Sequence, residues 1–161
     1  MKFFLKPLLL IIFILSLKAN SAITTYSVET DEFTDDSSHR LVMVDDSMEN
    51  AWGIDCTNGS PLFMIYDSGY FVSGNTLNIK IRFDSDKMME ETLDIYDTGS
   101  FITRDTSFIN MFLSKAKSSN KIIIKAGNGD TITFTGYNNF GTELKKYVRA
   151  TNNSNACKVD I

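Results

Sequence analysis

Two near-repeats carry the residue types with the most chemical potential. Residues 65–73 read IYDSGYFVS and residues 95–103 read IYDTGSFIT. In aspartic proteases, Asp-Ser-Gly and Asp-Thr-Gly triplets hold two carboxylates that share one proton and activate a water. Asp67 and Asp97 are therefore the candidate pair for an aspartyl hydrolase. Their spacing opposes it: a two-lobed enzyme needs one triplet per lobe, and a separation of 30 residues cannot build a lobe. A subunit of a dimeric enzyme needs only one triplet. Tyr66 and Tyr96 also stand where small apolar residues are usual. The same triplets are turn formers, with Asp accepting local backbone bonds and Gly supplying a positive φ, and that is the reading adopted.

No other constellation joins a base, a nucleophile and an orienting group, so no catalytic residue is assigned and an enzyme is not expected. His39 is the only histidine. Beside Arg40 at the end of an acidic stretch, it reads as exposed. Glu29, Asp31, Glu32, Asp35 and Asp36 cluster as Ca²⁺ ligands do, but the ordered glycine and closing glutamate of an EF-hand loop are missing. Met88 and Met89 read as gap-filling apolar residues. Gly127 to Asp130 lacks the lysine and following helix of a phosphate loop, which leaves a hairpin turn. Neither metal nor cofactor is expected.

The two cysteines belong with an export reading. Lys2 and Lys6 precede an apolar run from Pro7 to Leu17, and small residues follow at Ala19 to Ala22, so residues 1–22 read as a signal peptide cleaved after Ser21 or Ala22. The run is short for a membrane span of roughly 20 residues, so no stable span is expected after cleavage. A periplasmic or secreted location follows. There, Cys56 and Cys157 are expected to form a disulfide closing a loop of about 100 residues. Without residues 1–22, 13 basic and 20 acidic residues remain, a formal charge of −7, which argues against a nucleic-acid partner.

The elements that position these residues follow from periodicity. Thr76 to Asp84 (TLNIKIRFD) alternates Leu77, Ile79, Ile81 and Phe83 against polar residues, the pattern of a strand with one buried face. Arg82 and Asp84 bring opposite charges to its end, either as a binding pair or as a solvated edge. Earlier strands are expected at Leu41–Val44, around Trp52, Ile54 and Cys56, and at Leu62–Tyr66, the last two joined by an Asn58-Gly59 turn. Thr92–Tyr96 is expected to neighbour the central strand. Phe108, Ile109, Phe112, Leu113 and Ala116 recur at helical spacing, with Asp105 or Thr106 as N-cap and Lys115 and Lys117 in the last turn. Lys121–Ala126 and Thr131–Thr135 form a hairpin, and Phe140–Thr151 a final helix whose buried face holds Leu144, Tyr147, Val148 and Thr151.

The expected fold is therefore α+β: a mainly antiparallel β-sheet, as a sandwich or a partly open barrel, with two short packing helices and one disulfide. Residues 23–40 are expected as an acidic, partly mobile arm, and residues 41–161 as a single β-rich domain. The exposed aromatic residues Tyr66, Tyr70, Phe71 and Tyr96, with Arg82 and Asp84, form the expected contact patch.

The order of Trp52 and Cys56, Arg82-Phe83-Asp84, Phe108 and Phe112, Phe134-Thr135-Gly136, Leu144 and Cys157 resembles the TagO, or VasI, family over residues 41–157. These are exported proteins associated with bacterial type VI secretion. The resemblance implies a non-enzymatic accessory or binding protein that contacts an envelope or secretion protein or the cell wall. A second expectation, from the acidic charge, is an exported inhibitor or exclusion factor, encoded by a phage or mobile element, against a basic wall-degrading hydrolase.

Overall fold

The computed structural model describes residues 21–30, 32, 34, 36–57, 59–68, 74–127, 129, 131–153 and 157–161. The strands are β1 (Ile23–Thr30), β2 (Ser37–Val44), β3 (Asn50–Thr57), β4 (Ser60–Asp67), β5 (Thr76–Phe83), β6 (Met89–Asp97), β7 (Ser100–Thr103), β8 (Lys121–Ala126) and β9 (Thr131–Thr135). Helix α1 (Thr106–Ser118) lies between β7 and β8, and α2 (Phe140–Asn153) follows β9. All described pairings are antiparallel. They join one sheet in the order β1-β2-β3-β4-β7-β6-β5-β8-β9. The fold is thus α+β and mostly antiparallel sheet, one sheet rather than a two-sheet sandwich. It curls enough for the Ala22 N–H to donate to the Thr135 carbonyl at 2.8 Å, so the start of β1 meets the end of β9.

Alternation decides which face is covered. Ile79, Ile81 and Phe83 of β5 are buried, while Asn78, Lys80 and Arg82 face out. The same parity buries Trp52, Ile54 and Cys56 of β3 and Phe63 and Ile65 of β4. Both helices pack on this inner face. Asp105 caps α1 by accepting N–H bonds from Ser107 (2.8 Å) and Phe108 (3.2 Å), which starts the helix one residue later and aims Phe108 and Phe112 at the sheet. The Trp52 ring lies 4.8 Å from Phe112 of α1 and 5.7 Å from Phe140 of α2, edge to face in both cases. Phe63 sits 4.7 Å from Phe112, and Phe83 sits 5.2 Å from it. Such aromatic pairs add about 0.5–1.5 kcal/mol each beyond the area they bury.

Several expectations need correction. Residues 23–40, read as a solvated arm, instead supply β1 and the first half of β2, paired from Ile23↔Val44 to Thr30↔Ser37. Their many Ser and Thr residues hide the alternation, but Thr24 and Tyr26 turn inward, and Tyr26 packs against the core. His39, read as exposed, is only 7% exposed. It lies in β2 opposite Cys56, with Nδ1 2.9 Å from the Tyr26 hydroxyl and the two rings stacked. Met88 is exposed, whereas Met89 packs against the core. The four-residue strand β7 has no counterpart in the sequence reading. Residues 1–20 of the expected signal peptide lie outside the described residues. Among the described residues, no helix is long and apolar enough to cross a membrane.

Cys56 and Cys157 are bonded, with Cα atoms 6.0 Å apart and a sequence separation of 101. The bridge ties the segment after α2 to the end of β3, and both sulfur-bearing residues are buried. On the chain-entropy account, closing a loop of this length stabilises the fold by up to about 4.7 kcal/mol. Replacing both cysteines with alanine is expected to lower the unfolding free energy by roughly 2–5 kcal/mol in urea titration. An unchanged unfolding midpoint would show that the bridge does not hold the fold.

Candidate functional site

The register of the sheet brings together residues that are far apart in sequence. On the outer face, Ile23, Val44, Ala51, Tyr66 and Ser100 are successive cross-strand partners through β1, β2, β3, β4 and β7. On β6, Ser100 faces Asp97, while the next residue of β7, Phe101, faces Ile95. Tyr96 is thus the extra residue of a β-bulge and completes the row. Bulges increase local twist and re-aim side chains. Ile23, Tyr66 and Tyr96 are 53%, 44% and 71% exposed. A second row, Val42, Gly53, Met64 and Ile102, runs beside the first and ends at Asp94. With strands about 4.8 Å apart, the first row crosses six strands over roughly 24 Å.

Gly53 shapes this face. A Cβ there would stand 2.9 Å from the Leu41 carbonyl oxygen and 3.2 Å from Val42 Cγ2, too close for either to tolerate unmoved. The missing side chain leaves a depression of about 350 Å³ lined by Val42, Ala51 and Met64. Arg40 and Asp55 stand at its margin. The Asp55 carboxylate accepts bonds from the hydroxyls of Ser38 and Thr57, each at 2.8 Å, and from Arg40 Nε and Nη2 at 3.2 and 2.9 Å. Burial pushes the Asp55 carboxyl up, but the Thr57, Ser38 and Arg40 bonds and the Arg40 charge outweigh burial and hold it below its ordinary value.

Next to Val44 and Ala51 of the first row, the turn between β2 and β3 presents Met48. Its side chain is 72% exposed and its φ is 62°, a left-handed conformation unfavourable for a residue with a Cβ. Asp45, itself buried, over-determines that turn. Its carboxylate accepts from Ser47 Oγ (2.9 Å), Glu49 N (3.1 Å), Asn50 N (3.3 Å) and Asn50 Nδ2 (2.7 Å). Burial raises the Asp45 carboxyl, and the Asn50, Ser47 and Glu49 bonds together bring it below the ordinary carboxylate range. Strain held by an over-determined turn is characteristic of contact and switch sites.

The expected patch is divided by the structure. Tyr66 and Tyr96 lie in one row, with only β7 between their strands. Arg82 projects from the far end of β5, six residues or about 20 Å along the strand from Thr76, which faces Asp94. Asp84 serves the backbone: at φ 46° its carboxylate accepts the Asn120 N–H, and its own N–H donates to the Lys121 carbonyl at 2.9 Å. Tyr70 and Phe71 lie outside the described residues.

Asp67 of the first triplet does meet the second, its N–H donating to the Gly99 carbonyl at 2.8 Å. Asp67 is buried, whereas Asp97 is exposed and accepts the Thr98 N–H at 2.7 Å within its own turn. Gly99 has φ 74°, the positive value the turn requires. Among the described residues, no group of three or more His, Cys, Asp or Glu is placed to hold a metal.

Sequence reasoning missed Ile23, Val42, Val44, Met48, Met64 and Ile102 on this face. One signal was present: Leu62-Phe63-Met64-Ile65-Tyr66 is apolar at both parities, as in a strand with both faces covered.

Asp45 and Asp55 have depressed folded-state carboxyls, so their stabilisation is present above the unfolded value of about 3.9 and is lost as pH falls through the lower folded values. The protein is expected to lose stability in acid denaturation over that window. Asp45→Asn and Asp55→Asn should each be less stable at neutral pH and show a flatter acid dependence. A variant with the wild-type acid slope would show that its carboxylate does not contribute.

Comparison with protein-family models, with curated proteins and with solved structures finds no match for this chain.

Proposed function

We propose that this chain is a non-enzymatic exported accessory or binding protein of the cell envelope, working through the outer face of its sheet. The observation that carries the reading is the row from Ile23 to Tyr96, with Met48 presented beside Val44 and Ala51 by the hydrogen-bonded Asp45 turn. Scattered exposed apolar side chains are ordinary on a protein surface, but a contiguous band marks an interaction site. Tyr66 and Tyr96 suit this role, since aromatic rings offer large contact area at small entropic cost.

The disulfide supports an oxidising compartment, such as a periplasm or the extracellular space. The TagO/VasI-like order of residues supports an envelope or secretion protein as partner. The inhibitor reading shares the location and differs in the partner, a wall-degrading hydrolase. The aspartyl-hydrolase reading would require Asp97 to leave its turn role, where it accepts the Thr98 N–H.

The test is cross-linking of the exported protein in the envelope, followed by identification of the adduct. Recovery of a secretion or envelope component is expected, with the double variant Tyr66→Ser, Tyr96→Ser reducing it about tenfold or more while the thermal midpoint holds. Recovery of a lysozyme-like hydrolase would replace the accessory reading with the inhibitor one. Capture that is indifferent to both tyrosines would remove the outer face from the account. Cleavage of a denatured protein at acid pH, abolished by Asp97→Asn, would make the chain an enzyme.

A further inference from the structure

Charge is unevenly divided along the chain. Residues 23–67, which form β1 to β4, hold ten acidic residues and one basic, Arg40. Residues 106–161, which form α1, β8, β9 and α2, hold eight basic and three acidic residues. Two basic residues on the helices are already neutralised: Lys115 by Asp86 at 2.9 Å and Lys146 by Glu143 at 2.8 Å. Three others, Lys117 of α1 and Lys145 and Arg149 of α2, have no acidic partner among the described residues.

These three cations line one groove between the helices, away from the outer face of the sheet. Leu144, almost fully buried, and half-buried Val148 supply apolar lining, together with Ile161 and Gly141, and no acidic side chain lines the groove. Lys145 and Arg149 stand at i,i+4 spacing, where like charges oppose the helix. A cation pair left uncompensated over an apolar floor is stabilised by an incoming carboxylate. The groove encloses about 190 Å³. That is below the roughly 300–1,000 Å³ of a site that engulfs a whole small-molecule ligand, and it suits a single inserted side chain.

We propose that the α1–α2 groove binds an acidic peptide segment of a partner protein, seating one aliphatic side chain over Leu144 and Val148 while flanking carboxylates meet Lys117, Lys145 and Arg149. Charge complementarity selects the partner: the acidic β1–β4 half of the molecule repels such a segment, and the basic half draws it to the groove. This site does not depend on the outer-face reading, and either can fail alone.

Gly141 makes the groove testable without dismantling it. A Cβ at that position meets nothing within 4 Å, so Gly141→Leu projects into open space and improves helix propensity. The probe is a fluorescein-labelled peptide of one leucine flanked on each side by two aspartates, titrated by anisotropy into the purified protein. Saturable binding is expected, weakening about tenfold or more in the double variant Lys145→Glu, Arg149→Glu and at high salt. Gly141→Leu should weaken it similarly with an unchanged circular dichroism spectrum, and replacing the peptide leucine by serine should abolish it. Failure of the wild-type protein to bind saturably would overturn the proposal, as would full affinity in Gly141→Leu. Competition by hexanoate at the concentration of the peptide would also overturn it, by making the groove a site for small organic anions.

Discussion

Trp52 sets the geometry on which the rest of the molecule depends. It projects from β3 onto the inner face of the sheet and is met edge to face by Phe112 of α1 and by Phe140 of α2. One side chain thus fixes both helices against the same face of a nine-stranded sheet. The consequence is asymmetric burial. Everything that closes the core lies on one side, including the bridge from Cys56, four residues along β3 on the same face. The other side is left without a covering element among those described. An antiparallel sheet tolerates one solvated face only if that face is polar. Here the rule holds toward one end of the strands, where Ser38, Arg40, Asp55 and Thr57 form a hydrogen-bonded network. It fails toward the other, where the Ile23-to-Tyr96 row lies.

The polar network and the Asp45 turn are rigid supports for that row. Each centres on a carboxylate whose several donors outweigh the cost of its burial, so each is most secure near neutral pH and loosens in acid. Gly53 is the complementary device, a close approach of backbones that only a residue without Cβ allows, and it sets the depression in the second row. Shape and polarity on this face are therefore fixed by residues that would not themselves touch a partner.

Much of the fold is legible in the sequence because its signals are local. The alternation of β5, the helical spacing of α1 with a capping residue at Asp105 or Thr106, and the two cysteines each state their role within a few residues. Strand β1 was not legible because Thr24, Thr25 and Ser27 break the apolar contrast, and its pairing with β2 decides its state. His39 misled for the opposite reason: its type and acidic neighbours suggest solvent, whereas its parity in β2 places it opposite Cys56 in the core. The candidate site was legible only in part. Tyr66 and Tyr96 stand out as aromatic residues beside turns, but Val42, Val44, Met64 and Ile102 become neighbours only through cross-strand register. Local periodicity carries no information about which strands will be adjacent, and Arg82 was drawn into the patch by that gap.

The central claim, that the uncovered row is the working surface, is tested most directly by placing a photo-crosslinking amino acid at single positions of the protein in its native host. Substitution at Tyr96 is predicted to give a discrete adduct on illumination, and substitution at Thr131, exposed on β9, to give none. Adducts from Thr131 with none from Tyr96 would contradict the assignment and move the interaction to the β5–β8–β9 part of the sheet.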